Sequence, residues 1–389
     1  MKFSFNAVNG SRARSGTLTG FSRFPDIVFE TPLLLFYTKG GSIPHLTHEV
    51  LQLLTTEQQT VQITLPTTYH SHEAVKQFKK GISSFVGLQE CLTCLSVQDP
   101  AYKTPVGYNK QRNVSIWTNQ GRVSLNSSEY MDIVEAFKPD FYEALSNGDT
   151  NIDTAKKKIG KVVESSKQLF DGCLQRHCSS ELVNTSGILA AVEGGYNSEA
   201  RKKSAASYKN APVDGFVING LHNNGPDVEE IDFKSIEDVI DVTVDNLPSD
   251  KLRLLHGSWT PSNLLKLVDS GIDAFDSSYP YLVTERKGAL VFRFEIVDRS
   301  QTTEESESPM LEINLSDSKF KEDFVPLVDG CACLSCTKHT RAYIHHLINN
   351  RELLASTLLM IHNLHHYIEF FKTIRSALAS DKRVILRPR

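Results

Sequence analysis

Apolar, β-rich segments alternate with helical patterns through most of this chain, and that rhythm limits the folds open to it. Leu33–Tyr37 precedes a helix candidate from Thr47, and residues 61–65 precede one from Ser71. Further along, residues 187–193 precede a helical stretch from Ser198, residues 214–219 one from Phe233, and residues 252–255 one from Pro261. Parallel strands need crossover connections of this kind. Roughly seven or eight repeats over about 300 residues predict an α/β protein built on a (β/α)8 TIM barrel rather than on two doubly wound sheets. A doubly wound sheet would also want a glycine-rich phosphate loop after an early strand, and Lys39-Gly-Gly-Ser42 is a poor one.

Two segments break the rhythm. Residues 114–125 alternate on both sides of a Thr-Asn-Gln-Gly turn and predict an inserted hairpin. Residues 298–309 are polar and acidic and read as a mobile loop that separates a barrel over residues 1–300 from a helical, zinc-binding subdomain over residues 301–389 packed on it. Beyond the cysteines the pattern is helical to the end, with Leu354, Leu358, Ile361 and His365 at helical spacing. Leu353, Leu359 and Leu364 widen the apolar stripe beyond one packing face, which leaves internal core and subunit interface both open.

Hydrophobic residues are 40% of the 389 and charged residues 23%, the balance of a folded globular chain. The longest apolar runs fall far short of the roughly 20 residues a membrane span needs. The first ten residues lack the apolar stretch and cleavage site of a signal peptide, so the expected compartment is intracellular and reducing. In that setting the seven cysteines read as thiols or metal ligands. A net charge of -4 argues against a uniformly basic nucleic-acid surface. The charge is uneven, however: residues 331–389 carry nine Lys/Arg against three acids, a locally basic tail.

Three cysteines crowd into Gly330-Cys-Ala-Cys-Leu-Ser-Cys336. The C-x-C-x2-C spacing of Cys331, Cys333 and Cys336 brings three sulfurs onto one tight loop, and a tetrahedral zinc needs one ligand more. His362, 26 positions after Cys336 on a helix able to fold it back, is the leading fourth ligand, with His339, His345, His346, His365 and His366 competing. Four protein ligands leave no open position, so one structural zinc is expected. Cys91 and Cys94 share C-x2-C spacing but lack a second pair nearby, and read as packing.

This cysteine signature behind a βα series resembles the tRNA-guanine transglycosylase family. Val192-Glu-Gly-Gly-Tyr196 is similar to that family's Gln-Gly-Gly strand end, Asp214-Gly-Phe-Val-Ile-Asn-Gly-Leu221 to its Asp-Gly-(Tyr/Phe)-x-(Ile/Val)-Gly-Gly-Leu, and Gly271-Ile-Asp-Ala-Phe-Asp276 to its Gly-(Val/Ile)-Asp-Met-Phe-Asp. The order matches from about Thr31 to Arg375. The resemblance implies a base exchange in which a carboxylate, mapping to Asp276, attacks the ribose C1′ as guanine leaves, while a second acid handles protons.

The sequence departs from the pattern around that chemistry. Where the family has Asp-Ser-Gly-Gly-Phe-Gln, the matching region is placed at Ser84-Phe-Val-Gly-Leu-Gln-Glu-Cys91, with Glu90 as its one acid. The pocket glutamine becomes Glu193, which accepts but cannot donate a hydrogen bond when ionised. A later base-contacting acid aligns with Ala144-Leu-Ser146, and Pro-Thr-Arg after the nucleophile becomes Pro280-Tyr-Leu282.

The departures imply a member of the family with no catalytic residues of its own, Asp276 being the relic of a nucleophile. It would pair as a heterodimer with a catalytic queuine tRNA-ribosyltransferase subunit that exchanges guanine for queuine at the wobble position of tRNAs with GUN anticodons. The zinc subdomain would support dimerisation, and the basic tail, with 156–158 and 201–203, would help position tRNA. The resemblance implies a cytoplasmic location and peripheral association with the mitochondrial outer membrane. Two other readings stay open: an active transglycosylase using Asp276 with a relocated acid, and a zinc-stabilised nucleic-acid or protein-binding module.

Overall fold

The computed structural model describes residues 1–301 and 309–387. Eight parallel strands close into a barrel in chain order: Leu33–Tyr37, Thr60–Thr64, Leu92–Ser96, Phe141–Glu143, Gly187–Val192, Gly215–Ile218, Leu252–Leu254 and Ala274–Asp276, the last pairing with the first. This is the TIM barrel that the alternation predicts. Alternate residues serve two cores. Leu33 and Leu35 point into the barrel with Phe141, Leu189, Val217 and Leu252, whereas Leu34 and Phe36 face the surrounding helices.

Local chemistry explains the helix starts. Thr47 caps His48–Gln52 and Asn197 caps Ser198–Ser207, each side chain accepting a first-turn N–H. Thr260 does the same for Pro261–Asp269, whose leading proline suits the first helical position. Asn126 and Glu129 form a reciprocal capping box at the head of Ser127–Phe137. The expected hairpin is Val114–Thr118 paired with Gly121–Leu125.

A three-stranded antiparallel sheet, Lys2–Ala7, Arg14–Thr19 and Phe29–Thr31, plugs the end of the barrel where its strands begin. Phe3, Leu18, Phe21, Phe24 and Phe29 join the barrel's interior core, and Phe21 packs 6.0 Å from Phe141. Two ion pairs clip the plug to strand starts. Arg14 reaches Asp273, with Nε 2.9 Å from Oδ1, and Arg23 reaches Asp140, with Nε 2.8 Å from Oδ1. The plug leaves only the opposite end, where the strands finish, open to solvent.

Strand pairing crosses residue 300. Gly288–Leu290 pairs with Glu312–Asn314, and Arg293–Asp298 pairs with Lys382–Arg387. The chain therefore does not stay helical to its end: after the 27-residue helix Leu353–Ala379 it returns as a strand. The β-branched and apolar Val384-Ile-Leu386 favours this, with a partner edge beside it. The apolar surplus on the helix divides. Leu359 and Leu364 are fully buried, while Leu353 is 86% exposed. Residues 302–308 of the acidic excursion lie outside the described residues.

Candidate functional site

Cys333 caps the short helix Leu334–Lys338, its sulfur accepting the Cys336 N–H at 3.3 Å. That turn gathers the sulfurs of the C-x-C-x2-C run. His362, on the helix Leu353–Ala379, sets Nδ1 at 3.8, 3.5 and 3.3 Å from the sulfurs of Cys331, Cys333 and Cys336. All four ligand atoms lie within 4.8 Å of one another. Tetrahedral Zn–S and Zn–N bonds place sulfur and nitrogen about 3.6 Å apart, so the set has the size and donors for one ion. Among the competing histidines, His345 bonds the Leu315 carbonyl and His366 the Phe292 carbonyl.

The neighbours of His362 fix its ring. Its Nε2–H donates to the Leu290 carbonyl at 2.8 Å, which leaves Nδ1 as the metal-facing nitrogen. Asn363, fully buried, accepts the Leu290 N–H at 2.8 Å and donates to the Gly288 carbonyl at 3.0 Å and Thr284 Oγ1 at 2.9 Å. One helix thus clasps the strand Gly288–Leu290 by its backbone, and His362 is part of the clasp.

The second feature is the open end of the barrel. Asp276, the last residue of the eighth strand, is 1% exposed. Its Oδ1 accepts the Ser278 N–H at 2.9 Å, and its Oδ2 accepts the Gly257 N–H at 2.9 Å and a proton from His256 Nδ1 at 3.1 Å. The far nitrogen of His256 lies 2.5 Å from Glu143 Oε1, and Glu143 Oε2 accepts the Val97 N–H. Burial opposes charge on this ring, but Glu143 and Asp276 outweigh it and raise the imidazole pKa to about 10. One imidazolium therefore bridges two carboxylates. A cavity beside Glu143 and His256, lined also by Ser146, Asn219 and His222, measures about 50 Å³.

The other residues at this end of the barrel are engaged to different extents, and neither carboxyl oxygen of Glu193 has a hydrogen-bond partner. Glu193 is fully buried, and burial pushes its carboxyl up to about 7 against the pull of Arg201. A Cβ at Gly220, whose φ is +75°, would come within 2.6 Å of a Glu193 oxygen, so this turn accepts glycine alone. Ser146 takes a hydrogen bond from the Asn219 amide at 3.3 Å. Tyr281 packs 4.9 Å from Tyr37 and meets the Tyr102 hydroxyl at 3.0 Å, so tyrosines cover this side of the mouth.

The family model for queuine tRNA-ribosyltransferase matches residues 9–384. The chain belongs to that family. Among its curated relatives, a protein of Aedes aegypti is 40% identical over 98% of this chain and 90% of its own length. One from Ixodes scapularis is 39% identical over 96% of each chain, and one from Homo sapiens 37% identical over 100% of this chain and 98% of its own. All three carry the name queuine tRNA-ribosyltransferase accessory subunit 2.

Two sequence expectations about this queuine tRNA-ribosyltransferase family member need correction. Glu90 is not near Asp276. It is a 76% exposed side chain on the turn that feeds the third strand, at the plugged end of the barrel, where it accepts from Gln52. The acid on the functional side is Asp99, just past that strand. It accepts from the Tyr37 hydroxyl at 3.1 Å, and burial raises it to about 7. Groups at a barrel's working end follow the strands, so Ser96-Val-Gln-Asp99 was the stretch to read. Glu143 and His256 were missed for a different reason, since no local motif announces a pairing between residues so far apart.

The basic tail is the second. Arg341 pairs with Asp323, Lys372 with Glu369, Arg375 with Glu30 and Glu57, Lys382 with Asp298, and Arg387 with Glu295. Most of its charge is already answered within the chain.

Proposed function

We propose that this chain is the non-catalytic subunit of a heterodimeric queuine tRNA-ribosyltransferase, supporting assembly and tRNA positioning while a catalytic paralogue exchanges guanine for queuine at the wobble position. The observation that carries this reading is the state of Asp276. An attacking carboxylate needs a lone pair free to reach an anomeric carbon, and this one is 1% exposed and already engaged by two backbone N–H groups and the His256 imidazole. The names of the relatives support the same role.

Cys331, Cys333, Cys336 and His362 would hold one Zn2+. With every position filled by protein, the ion would tie the cysteine loop to the helix Leu353–Ala379 and activate no water. We place the assembly in the cytoplasm, with peripheral association at the mitochondrial outer membrane. Among the described residues no helix is long and apolar enough to cross a membrane.

Base exchange into tRNA, measured for this chain, for the catalytic paralogue and for the mixture, tests the reading. Activity only in the mixture is expected; robust exchange by this chain alone would overturn it.

A further inference from the structure

We propose that the open end of the barrel carries a binding face for single-stranded RNA, formed by residues 102–112, the hairpin Val114–Leu125 and the first turns of the helix Lys156–Ser179. The face deepens the function proposed above and depends on it only for which RNA is bound.

The cations come first. Lys110, Arg112, Arg122, Lys156, Lys157 and Lys161 are all exposed, and among the described residues none makes an ion pair. This is the reverse of the C-terminal tail. Lys158 and Asp149 cancel each other at 3.1 Å. Against the six, Asp153 and Glu164 are the exposed acids of the same stretches, which leaves a surplus of four positive charges.

These residues share one surface. Gly107 N–H and Lys158 Nζ converge on the same Asp149 oxygen, at 2.9 and 3.1 Å. The Asn109 amide donates to Asn147 at 3.0 Å, and the Ser165 hydroxyl to the Gln111 carbonyl at 2.6 Å. Residues 102–112 therefore lie along the start of the helix, on the side where the barrel strands end.

Aromatic rings interleave with the charge. Tyr108 is 46% exposed, backed by Trp117 at 5.1 Å and by the Arg122 guanidinium at 5.2 Å. Tyr102 is 45% exposed, with Lys39 Nζ 4.8 Å from its ring centre. Cations that track a backbone beside open aromatic faces are the chemistry that holds unpaired nucleotides, the rings stacking on bases. A duplex would present no base face to these rings.

The test is fluorescence anisotropy of a labelled RNA stem-loop titrated with the full chain over a series of salt concentrations. Lys157→Ala with Lys161→Ala is expected to weaken binding and lower the slope of log K against log[salt] by about 1.4, at about 0.7 per phosphate contact on a single strand. Tyr108→Ala weakens binding roughly tenfold, as loss of one stacked base does, and leaves the slope unchanged. Lys382→Ala with Arg387→Ala, in the paired tail, changes neither. Unaltered binding by the helix and tyrosine variants overturns the proposal, as do a larger loss from the tail variant, equal affinity for a blunt duplex, or no RNA binding by the chain. Co-purification with the catalytic paralogue is scored separately. RNA binding without assembly would sink the subunit role and leave the face standing, whereas assembly without RNA binding would do the reverse.

Discussion

The imidazole of His256 stands 3.1 Å from the carboxylate of Asp276, the residue on which base exchange would depend. Glu143 and Asp276 raise its pKa to about 10, so the ring is protonated at neutral pH beside that carboxylate. The contact carries a pH signature. A folded-state pKa of about 10 lies above the unfolded value of about 6.5, so the stability it supplies is complete below about pH 6.5 and drains away as pH rises toward 10. The difference in urea stability between the wild type and His256→Gln should be about 3 kcal/mol near pH 6.5, since removing one partner strands buried charge, and should shrink by pH 10. A difference that grows with pH would show that the ring is neutral in the fold.

Asp276→Asn addresses the chemistry directly. In the mixture of this chain with its catalytic paralogue, base exchange is expected to be unchanged, although the variant chain should unfold at lower denaturant because His256 loses one of its two counter-ions. Abolished exchange with the two chains still co-eluting would make Asp276 a working nucleophile.

Asn363→Ala should destabilise the chain by several kcal/mol. It leaves the Leu290 N–H and the Gly288 carbonyl buried without partners, at about 1–3 kcal/mol each. Because the same strand carries the carbonyl that orients His362, zinc should also be surrendered to a chelator at about 10-fold lower competitor concentration. Lower stability with unchanged zinc retention would separate the clasp from the metal centre.

His362→Ala, or exhaustive chelation of the native chain, should remove one equivalent of zinc by elemental analysis. The C-terminal helix should then become susceptible to proteolysis before the barrel does. Metal binding of this kind is folding free energy for the segment it ties down. Retention of the full equivalent by the variant would mean that another side chain completes the site.

How much of this was legible depended on the range of the signal. The barrel strands and helix starts are local: Thr47, Asn197 and Thr260 cap within three residues, and Leu33-Leu-Leu-Phe36 announces a strand buried on both faces. The gathering of Cys331, Cys333, Cys336 and His362 was readable because the cysteines lie within six residues and the histidine sits on a helix. Glu90 lies at the plugged end because the strand that follows it runs toward the opposite end of the barrel, and spacing in sequence carries no sign of that direction. The link from Glu143 through His256 to Asp276 joins three strand ends and has no local precursor. The tail read as basic because its acids, Glu30, Glu57, Glu295, Asp298 and Asp323, are distant in sequence.

Asn9 holds Asp381 through two hydrogen bonds, at 3.0 and 2.6 Å, across a separation of 372 residues. Just beyond Asp381 the chain adds Lys382–Arg387 to the edge of Arg293–Asp298. In kinetic language the contact between Asn9 and Asp381 closes a very long loop, and it cannot form in a growing chain until Asp381 has emerged. The barrel's eight strands are complete a hundred residues earlier in synthesis. For that interval the nascent protein is a barrel whose strand Arg293–Asp298 has no partner and whose three clustered cysteines still wait for His362.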